Sequence, residues 1–289
     1  MAKLEFDKAG EHFYETGNEK VVVYPANENG AYPKGYAWNG VTGYTESPSG
    51  ADETALYADN IKYLSLRAAE TFGATITAYT YPDEFAKLDG SASPVAGMKI
   101  YQQARRAFGL CVKTLIGNDI DSNDHGYLLH LVYGLTCSPS ERGYSTVNES
   151  PEAIEFSWEL SSIPVPVPGT DASGKPFKNT SVITIDSREF TGEKKALLDA
   201  LEAKLYGTDG TDTYTAVADP GVSDNPSTKG WYERSGAGTS ESPYVYTLSQ
   251  DTVVDNEKTY YAKSVVGDAD PYLPLPAEVI STLSTTVGG

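Results

Sequence analysis

The chain has 289 residues, with 40 acidic against 22 basic side chains and a formal charge of −18. That length allows one large or two smaller domains with a real core, and that charge repels nucleic-acid phosphates, so DNA binding is not expected; the acidity also serves plain solubility. Two cysteines, Cys111 and Cys137, are too few for a disulfide framework, the opening MAKLEFDKAG has no apolar signal-peptide core, and no run approaches a membrane span. Folding in a reducing cytoplasm, with no membrane partner, is the expectation.

Taken in chain order, Phe6 to Gly40 is rich in Tyr and Gly and reads as an arm able to contact neighbours, with turns at Asn29-Gly30 and Asn39-Gly40. Val41 to Asn60, VTGYTESPSGADETALYADN, mixes Gly, Ser, Pro and acidic residues with two apolar anchors, Leu56 and Tyr57. It reads either as an ordinary surface loop or as a long functional one, since structureless loops of that length are uncommon in compact domains without a task. Residues 60 to 81 are predicted to form a hairpin turning near Thr71 to Ala74, where Gly73 supplies a permissive backbone. A short helical turn fits Pro82 to Leu88, and Asp89-Gly90 marks the turn after it.

Leu129, Leu131, Tyr133 and Leu135 alternate with other residues along one strand, and Ile154, Phe156, Trp158 and Leu160 alternate with Glu155, Ser157, Glu159 and Ser161 along another. Such alternation describes half-buried antiparallel strands. Val182 to Ile185 adds a β-branched run. One helix stands out: Thr191 at its start as a cap, Glu193 in the first turn, Leu198, Leu201 and Leu205 on one stripe, and Gly207 as the stop. Full burial of those leucines contributes roughly 1.5–3 kcal/mol per side chain, which makes the helix a lid on a sheet.

Local motifs with an enzymatic look do not hold together. Gly169 to Lys175 opens like a phosphate-binding loop, but Pro176 stands where Ser or Thr would ligate magnesium, so a polar hairpin after IPVPVP is expected instead. Asp119, Asp121 and Asn123 imitate a calcium loop, yet Asp124 replaces the turn glycine and His130 the bidentate glutamate. His12, His125 and His130 make no zinc spacing with the two cysteines, and no GxSxG element is present. A structural protein, with no catalytic residue, metal or other cofactor, follows.

The run YQQARRAFGLCVKTLIGNDIDSNDHGYLLHLVYGLTCSPSERGYSTVNESPEAIEFSWELSSIPVPVP, from Tyr101 to Pro168, resembles the core of the major tail tube proteins of long-tailed, non-contractile bacteriophages. PSGADETALYADNIKYLSL, TITAYTYPDEFAKLDG, LYGTDG and LPLPAEVI extend the likeness, in that order, over most of residues 41 to 289. The resemblance implies a mainly β fold, a tail-tube-type β-sandwich or partly closed barrel with one flanking helix. It implies hexameric rings stacked into a tube, assembled in the bacterial cytoplasm and located in the virion tail. The implied partners are other copies of the chain, a tape measure protein, a tail terminator and baseplate or distal tail proteins, with genome DNA passing through the lumen without specific binding. Similar loops in tube proteins reach a neighbouring ring, which makes Leu56 and Tyr57 the candidate inter-ring contact, with Phe6 to Gly40 as the alternative arm.

In sequences of this family LYGTDG is followed almost at once by the LPLPAEVI-like tail, whereas here Thr211 to Gly267 lies between them. Residues 1–210 with 268–289 therefore read as a discontinuous tube domain, and 211–267 as an inserted exterior β-module. The insertion has no Phe, Ile, Met or Cys but carries seven aromatic residues, enough for a small core; a flexible loop is the alternative. Val253-Val254 and Val265-Val266 suggest short strands there. Trp231, Tyr232, Tyr244 and Tyr246 are the candidates for an adhesive surface. The alternative functions are a carbohydrate- or receptor-binding β-module protein, or a tube subunit of a tail-like bacteriocin or contractile system.

Overall fold

The computed structural model describes residues 6–50, 52–139, 142–144, 146, 153–218, 220–221, 223–239, 242–255 and 257–284. The chain divides into two compact units, residues up to 207 with those from 270 onward, and residues 208–269. The first unit begins with β1 (Tyr14–Pro25), β2 (Tyr36–Ala37), β3 (Val41–Glu46), β4 (Ser49–Gly50), β5 (Glu53–Ala58), β6 (Ile61–Arg67), β7 (Glu70–Thr71), β8 (Gly73–Ala78) and a helical turn, α1 (Asp83–Ala86). It continues with β9 (Phe108–Asn118), β10 (Ser122–Cys137), β11 (Phe156–Ser162), β12 (Val182–Asp186) and helix α2 (Lys195–Tyr206). The second unit holds β13 (Thr211–Ala216), the single turn α3 (Pro226–Lys229), β14 (Tyr232–Ser235), β15 (Val245–Leu248) and β16 (Tyr260–Val266), after which α4 (Pro276–Ser284) returns to the first. The protein is mainly β, built from antiparallel sheets.

The main sheet runs β2-β1-β9-β10-β11-β8-β3, with β12 also alongside β10. Its ends approach each other: β1 touches β3, and Asn18 Nδ2 donates to the Val41 carbonyl at 3.3 Å. The sheet therefore curls around an interior. Val21, Val23, Leu110, Val112, Val132 and Trp158 point inward, where α1 inserts Phe85 against Trp38 at 4.2 Å and Trp158 at 5.2 Å between ring centroids. Residues of opposite parity, Val22, Tyr24, Cys111, Leu129, Leu131 and Tyr133, face outward and are covered by Leu198, Leu201 and Leu205 of α2 and Val279 of α4. The central strands β1, β9 and β10 are thus buried on both faces, which explains their continuous apolar runs.

Hydrogen bonds from buried tyrosines fix this outer layer. Tyr24 Oη donates to the Leu205 carbonyl at 2.6 Å and Tyr133 Oη to the Pro274 carbonyl at 3.0 Å. Lys204 Nζ bonds Glu278 Oε1 at 2.8 Å and Thr282 Oγ1 at 2.9 Å, linking α2 to α4. Each phenol satisfies a carbonyl near a helix end that would otherwise be buried without a partner.

At Gly134 the sheet forks. Upstream, Leu128 to Val132 pair with β12; downstream, Leu135 to Cys137 pair with β11. The register with β9 also slips between Val132 and Leu135. Gly134 has φ +63°, and a Cβ there would lie 2.1 Å from the Ile163 carbonyl oxygen. Its amide donates to Tyr32 Oη at 2.9 Å and its carbonyl accepts from Ile163 N at 3.0 Å.

Several sequence expectations need correction. Leu135 does not share the face of Leu129, Leu131 and Tyr133, because the bulge at Gly134 turns it into the inner core. The hairpin across residues 60 to 81 does not form: β6 pairs back onto β5, and β8 lies between β3 and β11. Asp59 and Asn60, with φ of +51° and +61°, make the reversal, a two-residue turn with both central residues left-handed. Val41 to Asn60 is accordingly not a structureless loop but supplies β3, β4 and β5. Two helices, not one, cover the sheet, and Thr191 makes no side-chain cap; a 3-10 turn, Gly192–Lys194, leads into α2 instead.

Replacing Gly134 by Ala is expected to destabilise the protein by more than about 3 kcal/mol, since left-handed strain and a backbone clash add. Gly143→Ala, with open space around its Cβ position, should stay within about 0.5 kcal/mol of the parent. Urea midpoints of the two variants check this, and similar midpoints would remove the fork from the account of stability.

Candidate assembly surface

The β5–β6 hairpin is a two-stranded sheet of its own, and every residue in its strands except Ala55 is exposed. Leu56 lies directly opposite Leu64, and Thr54 opposite Leu66, which puts the three leucines on one face. They are 42 %, 38 % and 55 % exposed. Tyr57 follows Leu56 in the strand and so points to the other face, opposite Lys62, with 72 % of its surface exposed. That second face is charged: Glu53 Oε1 accepts from Lys62 Nζ at 2.5 Å and from Ser65 Oγ, and Arg67 stands 3.6 Å from its other oxygen. Lys62 first, then Ser65, holds the Glu53 carboxyl below the usual carboxylate range.

Leu56 and Tyr57, adjacent in sequence, therefore serve opposite surfaces. The leucines that join Leu56, together with exposed Ile61 and Tyr63, come from β6, which sequence reasoning had assigned elsewhere. Their signal was present in the alternation of Leu64 and Leu66.

The calcium-like turn after β9 is instead a set of separate pairs. Asn118 Oδ1 accepts from the amides of Ile120 and Asp121, Asp121 Oδ2 meets His125 Nδ1 at 3.0 Å, and Asp119 Oδ2 meets His12 Nδ1 at 3.1 Å. His12, with the Gly10 amide, holds the Asp119 carboxyl down to about 2. These contacts dock the segment before β1 onto the turn, and among the described residues no three His, Cys, Asp or Glu side chains converge as metal ligands. His125 belongs to strand β10 and stacks on Phe13 at 5.1 Å. The Gly169 to Lys175 segment is a tight polar turn, with Asp171 Oδ1 accepting from the amides of Ser173 and Lys175.

His130 lies at the polar end of the inner core. Its Nε2 is 3.0 Å from Thr114 Oγ1, while its buried Nδ1 has no hydrogen-bond partner and stands 3.7 Å from Glu46 Oε1. Burial pushes the imidazole below its usual value, with Glu46 and Glu15 opposing.

In the second unit the strand order is β13-β16-β14-β15. This unit spans Thr208 to Ala269, and those two residues exchange backbone hydrogen bonds of 3.1 and 3.3 Å. The unit is not purely β: Asn225 caps the helical turn α3 by accepting from Thr228 N at 3.1 Å. Val253-Val254 lies outside any strand, whereas Val265-Val266 ends β16.

One sheet face carries Tyr260, fully buried, with Trp231 at 5.8 Å and the buried Ser249. Ser249 Oγ donates to Glu233 at 2.6 Å, and Lys258 bridges Glu233 and Asp251 at 3.2 and 2.8 Å. The opposite face carries Tyr214, Tyr232, Tyr246 and Tyr261. Tyr214 and Tyr246 stack almost parallel at 3.8 Å, with Tyr232 and Tyr261 edge-on to them at 5.2 Å. Of the four adhesive candidates, Trp231, Tyr232 and Tyr246 are thus partly buried in packing within the unit, and Tyr244 is the exposed one, at 48 %.

No protein-family model and no curated protein matches this chain.

His130 gives a pH dependence of defined sign. Its folded-state value is depressed, so the unfolded chain binds more protons, and stability present above about 6.5 is lost as pH falls through the unfolded and then the folded value. His130→Gln should flatten the fall in urea midpoint between about pH 7.5 and 5.5. An equal fall in both proteins would contradict this assignment.

Proposed function

We propose that the chain is a tail tube subunit whose copies close into hexameric rings and stack into the conduit through which a phage genome leaves the head. The observation that carries this reading is the β5–β6 hairpin, joined to the ordered sequence resemblance. An isolated two-stranded ribbon is marginal in water, and this one exposes Leu56, Ile61, Tyr63, Leu64 and Leu66 together. Such a surface is stabilised when another subunit covers it.

Docking of the leucine face on an adjacent ring is a heterologous contact, so it repeats along the tube until length is limited from outside. In the proposed tail, a tape measure protein, a terminator and baseplate or distal tail proteins supply that limit. Ring closure pairs sheet edges that would otherwise aggregate. Residues 211–267 hold eight acidic and four basic side chains, so −14 of the −18 resides elsewhere. A lumen of net negative charge would let DNA pass without phosphate traps.

Leu56→Ser combined with Leu64→Ser should leave the subunit folded, because both side chains are exposed, yet abolish tubes in negative-stain electron microscopy. Tyr57→Ser, on the other face, should affect stacking less. Normal tubes from the leucine variant would exclude this face from assembly.

In the proposed tube the second unit projects outward and is dispensable. Thr208 and Ala269 already pair, so joining Gly210 to Asp268 bridges a short gap. The deletion should still assemble, with a thinner outer surface. Recovery of only aggregated or unassembled subunits would make the second unit part of the assembly interface.

A further inference from the structure

In the second unit, the cations Lys229, Lys258 and Lys263 all sit against carboxylates: Asp224 at 3.1 Å, Asp251 at 2.8 Å and Asp212 at 2.7 Å. Arg234 differs. Its guanidinium lies over the rings of Tyr244 at 4.3 Å and Tyr261 at 5.1 Å, and it forms no ion pair among the described residues. Arg234 pairs across strands with Tyr246, which puts it on the tyrosine face, and Tyr232, Tyr261 and Leu248 share that face through their own pairing. The same face also carries Leu248 and the Lys263–Asp212 ion pair, so Arg234, beside the exposed Tyr244 ring, is the cation on it that has no carboxylate among the described residues.

We infer that this face binds an acidic saccharide, with Arg234 gripping a sugar carboxylate and Tyr244 stacking on the pyranose ring. A guanidinium resting over aromatic rings still has N–H donors for a two-point bond to a carboxylate, and its weak hydration lowers the cost of that contact. A phenol offers a flat apolar body for the C–H face of a sugar and a hydroxyl for its polar rim. The inference concerns the second unit alone and stands whether or not the chain builds tubes.

The test is calorimetric titration of the full-length protein with short oligogalacturonates. Maltooligosaccharides of equal length serve as the neutral control, and glycerol-phosphate oligomers as the phosphate control. Saturable, salt-sensitive binding of the uronate is expected, with the neutral sugar weaker by about tenfold or more. Arg234→Gln and Tyr244→Ala should each weaken it by about tenfold. Both side chains are exposed, and near-ultraviolet circular dichroism confirms that each variant keeps the parent's packing. No binding of the uronate at millimolar concentration, or unchanged binding by both folded variants, overturns the proposal. Tighter binding of the glycerol-phosphate oligomer overturns its assignment to carboxylate sugars.

Discussion

The left-handed backbone at Gly134 is the constraint on which the first unit turns. A β-strand can serve one inner and one outer core only while its parity is kept, and a single extra residue reverses it. By placing that residue between Tyr133 and Leu135, β10 gives its first half to the helical layer and its second half to the curled interior. The same step frees the strand edge to take β12 before the bulge and β11 after it. Close approach of the Ile163 carbonyl leaves room for a hydrogen atom and nothing larger.

Around that fork, buried and exposed apolar side chains are assigned to different places. The doubly covered strands β1, β9 and β10 hold most of the largest fully buried side chains, whereas the β5–β6 strands hold no buried residue. An element that buries so few of its side chains gains little from its own packing to offset the cost of ordering. Its two faces divide the task chemically: leucines on one, an ion-paired Glu53, Lys62 and Arg67 cluster on the other. The charged face contributes little energy in water.

Much of the fold was legible from periodicity. The alternation at Phe156, Trp158 and Leu160 and the stripe of Leu198, Leu201 and Leu205 signalled faces that are in fact buried, because burial itself imposes those periods. What stayed hidden depended on backbone signs and on partners distant in sequence. Nothing local distinguishes Gly134 from any strand glycine until Ile163 lies beside it. The Asp59-Asn60 turn lacks the glycine that usually announces such reversals, so Ile61 to Arg67 was paired with the wrong neighbour and the leucine face was seen only through Leu56. In the second unit the aromatic content was evident, but which rings pack and which remain open followed from strand register alone.

The two thiols occupy opposite sides of the same sheet. Cys111 lies under the helical layer, where burial pushes its thiol up to about 12, and Cys137 lies in the curled interior, where burial also raises it. Neither can reach the other without unfolding, and neither reacts while its own layer is closed. Alkylation under native conditions therefore records two separate openings. Release of α2 and α4 would expose Cys111, while uncurling of the sheet would expose Cys137, so the order in which the layers come apart can be timed with the protein's own side chains and no introduced label.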